Sequence, residues 1–319
     1  MTLQIIMLLA GLALILFGAN WLVDGSSSIA KRFGISEFVI GLTIVGIGTS
    51  SPEMVVSFMS SLQGKADMAI GNIVGSNIFN TLMILGITAL VAPMAITKNN
   101  LKRDIPLNIV VTVLLIILGM NFTLLGKGQD QISRLDGAIL LAVFAWYLWT
   151  SFKSDQGDAS EEGEGIKEYK TGLSVIMIVA GLAGLIFGGR LFVNSATELA
   201  KMFGVSDKFI AITVMAAGTS MPELATCVVA ALKGRGQLAL GNVLGSNISN
   251  ILLILGGASL IAPLSFNGMT PVDLGLVLIS AIIIFASAFM FKKREIDRYE
   301  GVIFLLLEIG YMWYLIANL

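Results

Sequence analysis

Residues 48–53 read Gly48-Thr49-Ser50-Ser51-Pro52-Glu53, and residues 218–223 read Gly218-Thr219-Ser220-Met221-Pro222-Glu223. Each stretch lies inside a long apolar run. Proline cannot donate to the carbonyl four residues back, so Pro52 frees the carbonyl of Gly48 and Pro222 frees that of Gly218. Gly46 and Gly48 add backbone freedom and let other groups approach. In hydrocarbon a freed carbonyl survives only where protein, water or an ion satisfies it. A carboxylate in mid-membrane is costly too, and it marks a functional site by default. Thr49 and Glu53 are four residues apart, as are Thr219 and Glu223, which predicts a shared helix face for each pair.

A second motif follows each break. Residues 71–80 carry Gly71-Asn72, Gly75-Ser76-Asn77-Ile78 and Asn80, and residues 241–250 carry Gly241-Asn242, Gly245-Ser246-Asn247-Ile248 and Asn250. Ser76 and Asn80 share a face by spacing, as do Ser246 and Asn250. Gly71 and Gly75 make a small surface suited to close helix packing. Asn80 and Asn250 read as ligands or ligand supports. Asn72, Asn77, Asn242 and Asn247 read equally well as helix glue.

The two motif pairs belong to a repeat at a fixed offset. Residues 11–93 align with 181–263 without a gap and share 35 identities in 83 positions. Ten apolar runs are long enough to cross a bilayer. They cover about 3–25, 36–61, 67–92, 104–122, 134–152, 172–194, 206–232, 237–262, 271–291 and 299–317. The first is too long for a signal-peptide core and reads as a retained helix. Five spans per half is odd, so the halves cross the membrane in opposite senses, an architecture of secondary transporters. The expected fold is an all-α membrane protein of ten transmembrane helices in two inverted-topology five-helix repeats. Residues 1–152 form the first, 153–171 a polar acidic cytoplasmic linker, and 172–319 the second. Fourteen of the 20 Lys and Arg fall in one set of alternate loops. That bias places both termini outside, extracellular or periplasmic, in a plasma or inner membrane.

Composition narrows the chemistry. The 319 residues are 56% hydrophobic and 13% charged, with net charge −1. This excludes a cytosolic enzyme, a disordered chain and a nucleic-acid binder. With no His and one Cys, zinc and copper sites, Ser-His-Asp triads and disulfide frameworks are excluded as well. What remains is an oxygen cage, which suits a hard cation. Two carboxylates neutralise one Ca2+ or hold Na+ at somewhat different positions. Competition of the two at a shared, alternately exposed site is antiport.

At these residues the chain resembles the sodium/calcium exchanger family of the cation/calcium antiporter superfamily, in its short prokaryotic form. The resemblance covers both repeats, 41–93 and 211–263, and through the ten-span layout nearly the whole chain. It implies Na+ and Ca2+ bound between the second, third, seventh and eighth helices. Carried over by position, the ligands are Thr49, Ser50, Glu53, Ser76, Asn80, Thr219, Ser220, Glu223, Ser246 and Asn250. Freed carbonyls would come from Gly46 and from the Thr49 and Thr219 regions. The first and sixth helices, rich in glycine (Gly11, Gly18, Gly181, Gly184, Gly188, Gly189), would slide as a gate. Asn250 stands where the potassium-dependent branch carries Asp, which argues against potassium dependence. Ser51 replaces an apolar residue before the proline. The large cytosolic regulatory domains of animal exchangers are absent, so calcium-sensor regulation is not expected.

The function read from sequence is therefore exchange of Na+ for Ca2+ across the bilayer, not an enzyme reaction and without a resident cofactor. A monomer would suffice for it. Competing readings are a proton-coupled cation exchanger, a cation channel and, remotely, an intramembrane hydrolase. Among the other residues, Asp24 reads as interfacial and Arg190, at the position of Asn20, as snorkelling to the outer surface. Trp146, Tyr147, Trp149, Trp313 and Tyr314 read as interfacial anchors. Cys227 reads as core packing, and Glu308 as a lone acid facing protein or a wet crevice.

Overall fold

The structure is a computed structural model that describes residues 1–120, 123, 126, 129–154, 166–204, 216–266, 268–291 and 294–317. The linker acids Asp155, Asp158, Glu161, Glu162 and Glu164 lie outside these residues, as does the first part of the seventh span, 206–215.

Helix α1 (Thr2–Phe33) ends at Gly34, whose φ of 64° is the left-handed cap that glycine adopts without strain. The second span divides into α2 (Glu37–Thr49) and α3 (Ser51–Leu62), bent by 48° at Ser50. The bend falls where Pro52 removes a donor, and Pro52 itself sits in the first turn of α3, where its missing N–H is harmless. Then come α4 (Ala66–Val91), α5 (Ile105–Gly119) and α6 (Arg134–Ser154). The second half contains α7 (Thr171–Met202), α8 (Ala216–Thr219), α9 (Met221–Leu232), α10 (Gly236–Ile261), α11 (Pro271–Ser287) and α12 (Arg298–Ala317). Among the described residues six helices are long and apolar enough to span a membrane singly, and the α2–α3 pair makes a seventh. Helices α5, α9 and α11 are shorter and occupy three further positions read from sequence.

Contacts between loops match alternate crossing. The 1–2 and 5–6 loops meet where Lys31 pairs with Glu168 (3.4 Å) and the Tyr169 N–H donates to Ser28 Oγ (2.9 Å). The 7–8 loop joins them, with Lys233 Nζ 2.6 Å from Asp24 Oδ1 and Arg235 Nε 3.6 Å from Glu37 Oε1. Strand β1 (Met94–Ala95) pairs with β4 (Glu295–Ile296), bringing the 3–4 and 9–10 loops together. Gln237, just past the 7–8 loop, donates to the Ala95 carbonyl and links the two groups. Strand β2 (Gln131–Ile132) pairs with β3 (Leu264–Ser265) between the 4–5 and 8–9 loops. The two strand pairs exchange partners between halves, and their two-residue length leaves no sequence signal. All five basic loops thus gather on one face.

Helix α10 is almost wholly buried and α4 mostly so, whereas α1, α6, α7 and α12 present apolar outer faces. Exposed Trp21, Trp146, Trp149 and Trp313 belong to that perimeter. Helices α1 and α7 cross antiparallel on their glycines. A Cβ on Gly11 would stand 2.7 Å from the Phe192 nitrogen, and one on Gly181 would stand 2.7 Å from the Leu22 nitrogen. These two contacts are the same contact seen from each half. Close backbone approach replaces the hydrophobic drive that lipid cannot supply.

The structure corrects one anchor. Tyr147 is buried at 1% exposure, with its hydroxyl 3.5 Å from Asp104 Oδ1. Tyr311 does the same in the second half, donating to Asp273 Oδ1 at 2.7 Å. A phenol needs a partner once buried, and a carboxylate at the start of the neighbouring span provides it.

Candidate cation-binding site

Two helix breaks and two central helices bring the candidates together. Glu53 and Glu223 lie one turn beyond the breaks, each 1% exposed. Their hydroxyl partners come from the opposite half. Ser50 Oγ donates to Glu223 Oε1 at 3.0 Å, and Ser220 Oγ donates to Glu53 Oε1 at 3.2 Å. Thr49 and Thr219 likewise face Glu223 and Glu53. Spacing predicted that Thr49 would share a face with Glu53. The 48° bend at Ser50 breaks that register and turns the hydroxyls across the pseudo-twofold axis.

The carbonyl of Gly46 accepts from Ser50 N–H (3.2 Å), Thr49 Oγ1 (3.4 Å) and Ser246 Oγ (3.2 Å). Its helical bond from the Ser50 N–H is intact, so this carbonyl is not freed by the break as the sequence reading expected. The carbonyl of Gly48, freed by Pro52, is taken instead by Ser51 Oγ at 2.7 Å. That gives the departure at Ser51 a structural role, because it removes one freed carbonyl from the cage. Met221, at the matching position, has no hydroxyl to do this for Gly218.

The asparagines divide into two groups. Asn77 and Asn247 form a ladder at the centre. Asn77 Nδ2 donates to the Asn247 carbonyl (3.1 Å), and Asn247 Nδ2 donates to Thr81 Oγ1 (2.9 Å). Asn80 Nδ2 donates to Asn247 Oδ1 (3.2 Å) and Asn250 Nδ2 to Asn77 Oδ1 (2.9 Å), again a reciprocal pair. The inner pair is therefore structural and holds the outer pair. Asn72 bonds Ser57 Oγ (3.1 Å) and the Glu53 carbonyl (3.3 Å). Asn242 donates to Cys227 Sγ (3.2 Å) and accepts from Thr49 (3.1 Å), so Cys227 is buried packing that also braces the site. Ser76 is buried one turn before Asn80, and its hydroxyl makes no hydrogen bond among the described residues. The segment that would face Gly71 and Gly75 in the second half, 208–212, lies outside the described residues, whereas Gly241 and Gly245 pack on the Phe38 and Leu42 backbones.

Four oxygens are left over. Glu53 Oε2, Glu223 Oε2, Asn80 Oδ1 and Asn250 Oδ1 are buried without a hydrogen-bond partner among the described residues. Of the orphan side-chain atoms, these alone fall into pairs at matched positions of the repeat. An unsatisfied buried acceptor costs about 1–3 kcal/mol, more when charged. Two carboxylates, two amide oxygens and the surrounding hydroxyls suit a hard cation bound through oxygen. Among the described residues no cluster of three or more Cys, Asp and Glu forms a metal site. Glu308 is also buried with Oε2 unpartnered, but it lies on α12 and has no acidic counterpart in the first half.

Sequence reasoning missed the π-helical turns that begin at Asn80 and Asn250, Asn80–Ile84 and Asn250–Leu255. Such turns widen a helix locally and are common at functional sites. No residue pattern marked them beyond their recurrence in both halves.

A crevice of about 220 Å³ reaches the site between α3 and α7, with Thr219, Gly218 and Pro222 in its wall and Arg190 and Asn194 along its α7 side. Its counterpart between α9 and α1 is closed, since α1 packs along α9. There Lys233 bonds Asp24 (2.6 Å) and the Asn20 carbonyl (3.4 Å). The repeat puts Gln63 and Asn194 at the positions of Lys233 and Asp24, so the ion pair exists at one seam only. A part-exposed pair contributes up to about 1 kcal/mol. Lys233→Gln is expected to increase labelling of a cysteine placed at Val23 by about two- to fivefold. The readout is an impermeant thiol reagent applied from the basic face, in a Cys227→Ser background. Unchanged labelling would show that the pair holds nothing shut.

The comparisons agree with this geometry. The family model described as sodium/calcium exchanger protein matches residues 3–153 and 173–317, one match per half. The putative antiporter CaxA of Alkalimonas amylolytica is 38% identical over 98% of both chains. The sodium/calcium exchanger MaX1 of Methanosarcina acetivorans is 35% identical, also over 98% of both. A solved structure of the sodium-calcium exchanger NCX_Mj, soaked with zero Na+ and Ca2+, superposes with a TM-score of 0.84 at 32% identity, covering 98% of this chain and 99% of that one. Fold and site together define a secondary transporter of the membrane-embedded, inverted-repeat class. The chain belongs to the sodium/calcium exchanger family, and it is a short prokaryotic form of it.

Proposed function

We propose that this chain exchanges Na+ for Ca2+ across the plasma or inner membrane by alternating access to one midplane site. The observation that carries the reading is the set of four orphan oxygens at Glu53, Glu223, Asn80 and Asn250, matched across the repeat. Their two negative charges balance one Ca2+. The same oxygens, with the hydroxyls of Thr49, Ser50, Ser76, Thr219, Ser220 and Ser246 and the Gly46 carbonyl, would hold Na+ ions in its place. Either cargo excludes the other, so each crossing carries one kind of ion and the cycle is an exchange.

In this reading residues 1–152 and 172–319 are the two units that trade conformations across the 153–171 linker. The basic face is cytoplasmic and both termini are outside. Ser174, near the start of α7, contacts Ser28 on the basic face. Arg190 lies further along the same helix, about 24 Å away by the rise per residue. The crevice therefore opens on the outer side. Helices α1 and α7, whose backbones approach closely along their glycines, form the gate.

Uptake into proteoliposomes with opposed Na+ and pH gradients tests the coupling ion. Ca2+ should accumulate when Na+ runs outward and should ignore a proton gradient alone. Accumulation driven by pH and indifferent to Na+ would replace Na+ with H+. Flux without any counter-ion gradient at channel rates would replace exchange with conduction.

A further inference from the structure

The crevice that leads to the site has an unexpected charge. Among the described residues that line it, Arg190 is the one ionisable side chain, and the others are apolar or neutral, as at Val55, Ile186 and Val193. Among the described residues no carboxylate pairs with Arg190. Its repeat counterpart, Asn20, is neutral and spends its amide on the Leu16 carbonyl (2.8 Å). The α7 side of the pathway therefore carries a fixed positive charge where the α1 side carries none on the matching residue. A positive group beside an entry route for cations demands a physical account.

We propose that Arg190 is a specificity-determining residue that handicaps divalent against monovalent cations entering through the crevice. The proposal rests on the exchange reading above and adds an asymmetry between the two faces. The work of bringing an ion past a fixed charge scales with the ion's own charge. Whatever factor the guanidinium imposes on Na+ is therefore squared for Ca2+. Apolar walls focus the field along the crevice, and bulk salt screens it. On this face the transporter would accept Na+ more readily than its oxygen cage alone dictates, and Ca2+ less readily. On the opposite face the cation beside Asn20 is Lys233, and Asp24 pairs with it at 2.6 Å. The arrangement favours Na+ over Ca2+ at entry through the crevice.

The test is initial uptake of radiolabelled Ca2+ and Na+ through the crevice face of oriented proteoliposomes, at low and high ionic strength set with an inert organic cation. For Arg190→Asn the half-saturating Ca2+ is expected to fall about five- to tenfold and the half-saturating Na+ about two- to threefold. The difference should shrink as salt rises, and Arg190→Lys should keep wild-type values. Val55→Glu, which adds a negative charge to the α3 wall of the crevice, should shift both ions in the same direction with the same ordering. Equal shifts for the two ions, no shift, or shifts that ignore ionic strength would reduce Arg190 to a headgroup anchor and overturn the proposal. Wild-type vesicles separate the two claims. Wild-type exchange with unshifted variants defeats the role of Arg190 alone. Absence of Na+-driven Ca2+ flux in wild type defeats the exchange reading and this proposal with it.

Discussion

Glu53→Gln is expected to abolish Ca2+ exchange, lowering its rate at least about a hundredfold, while leaving the fold intact. The substitution keeps shape and keeps the Oε1 that accepts from Ser220. What it removes is one of two negative charges, and it turns an amide N–H towards the position a cation would take. At the effective dielectric that fits protein sites, a unit charge about 4 Å away is worth about 4 kcal/mol, and the figure doubles for a divalent ion. Even after generous compensation, that loss exceeds the energy of a tenfold change in rate, about 1.4 kcal/mol, several times over. Stability should move the other way or not at all, since a buried carboxylate without a full set of partners is costly in the absence of a cation. Glu223→Gln should give the same result, because the reciprocal bond from Ser50 makes the two positions equivalent. The checks are Ca2+ flux and a thermal unfolding midpoint on the same purified protein. Loss of both would signal a folding defect, and retained flux would remove the carboxylates from the mechanism.

Gly18→Ala should slow exchange about five- to hundredfold without weakening Ca2+ binding. A Cβ there would stand 2.7 Å from the Gly181 carbonyl oxygen and 2.7 Å from the Leu185 nitrogen. Both atoms are backbone, so α1 and α7 must move apart as rigid helices. Overpacking by one carbon costs about 1–3 kcal/mol. If the gate works by these helices sliding on each other, that penalty falls on the conformations in which the glycines pass. Gly188→Ala meets the Gly11 carbonyl oxygen at 2.9 Å and should behave alike. Gly189→Ala is the control: no described atom lies within 4 Å of its Cβ, and the repeat already carries Ala19 at that position. Exchange rate and equilibrium Ca2+ binding, measured together, distinguish a jammed gate from a damaged site. A Gly18→Ala protein that exchanges at the wild-type rate would contradict the sliding gate.

Much of the fold was legible because it is written twice. The gapless repeat, the odd number of spans and the basic loops suffice to predict inverted halves, and the loop contacts agree. The proline breaks were legible for a local reason, since a missing N–H acts within one turn. What was not legible depends on contacts between the halves. Spacing placed Thr49 with Glu53, but the bend at Ser50 sends the hydroxyls of one half to the glutamate of the other. Asn77 and Asn80 are both amides on the same helix, repeated at Asn247 and Asn250. Nothing in their order tells which pair cross-links the helices and which keeps an oxygen free. Tyr147 looked like an anchor because it lies near a span end, yet helical rotation turns it inward to Asp104 while Trp146 and Trp149 face outward. The Ser51 bond to the Gly48 carbonyl could have been read from sequence, since a serine hydroxyl readily reaches back to a carbonyl three residues earlier.

The claim at the centre is that the same oxygens hold either ion. Equilibrium Ca2+ binding to the purified protein, followed by titration calorimetry against rising Na+, tests it most directly. The account predicts a Ca2+ affinity that falls competitively as Na+ rises, with the capacity unchanged, and that is lost in both Glu53→Gln and Glu223→Gln. Ca2+ binding that ignores Na+, or that survives in either variant, would contradict it.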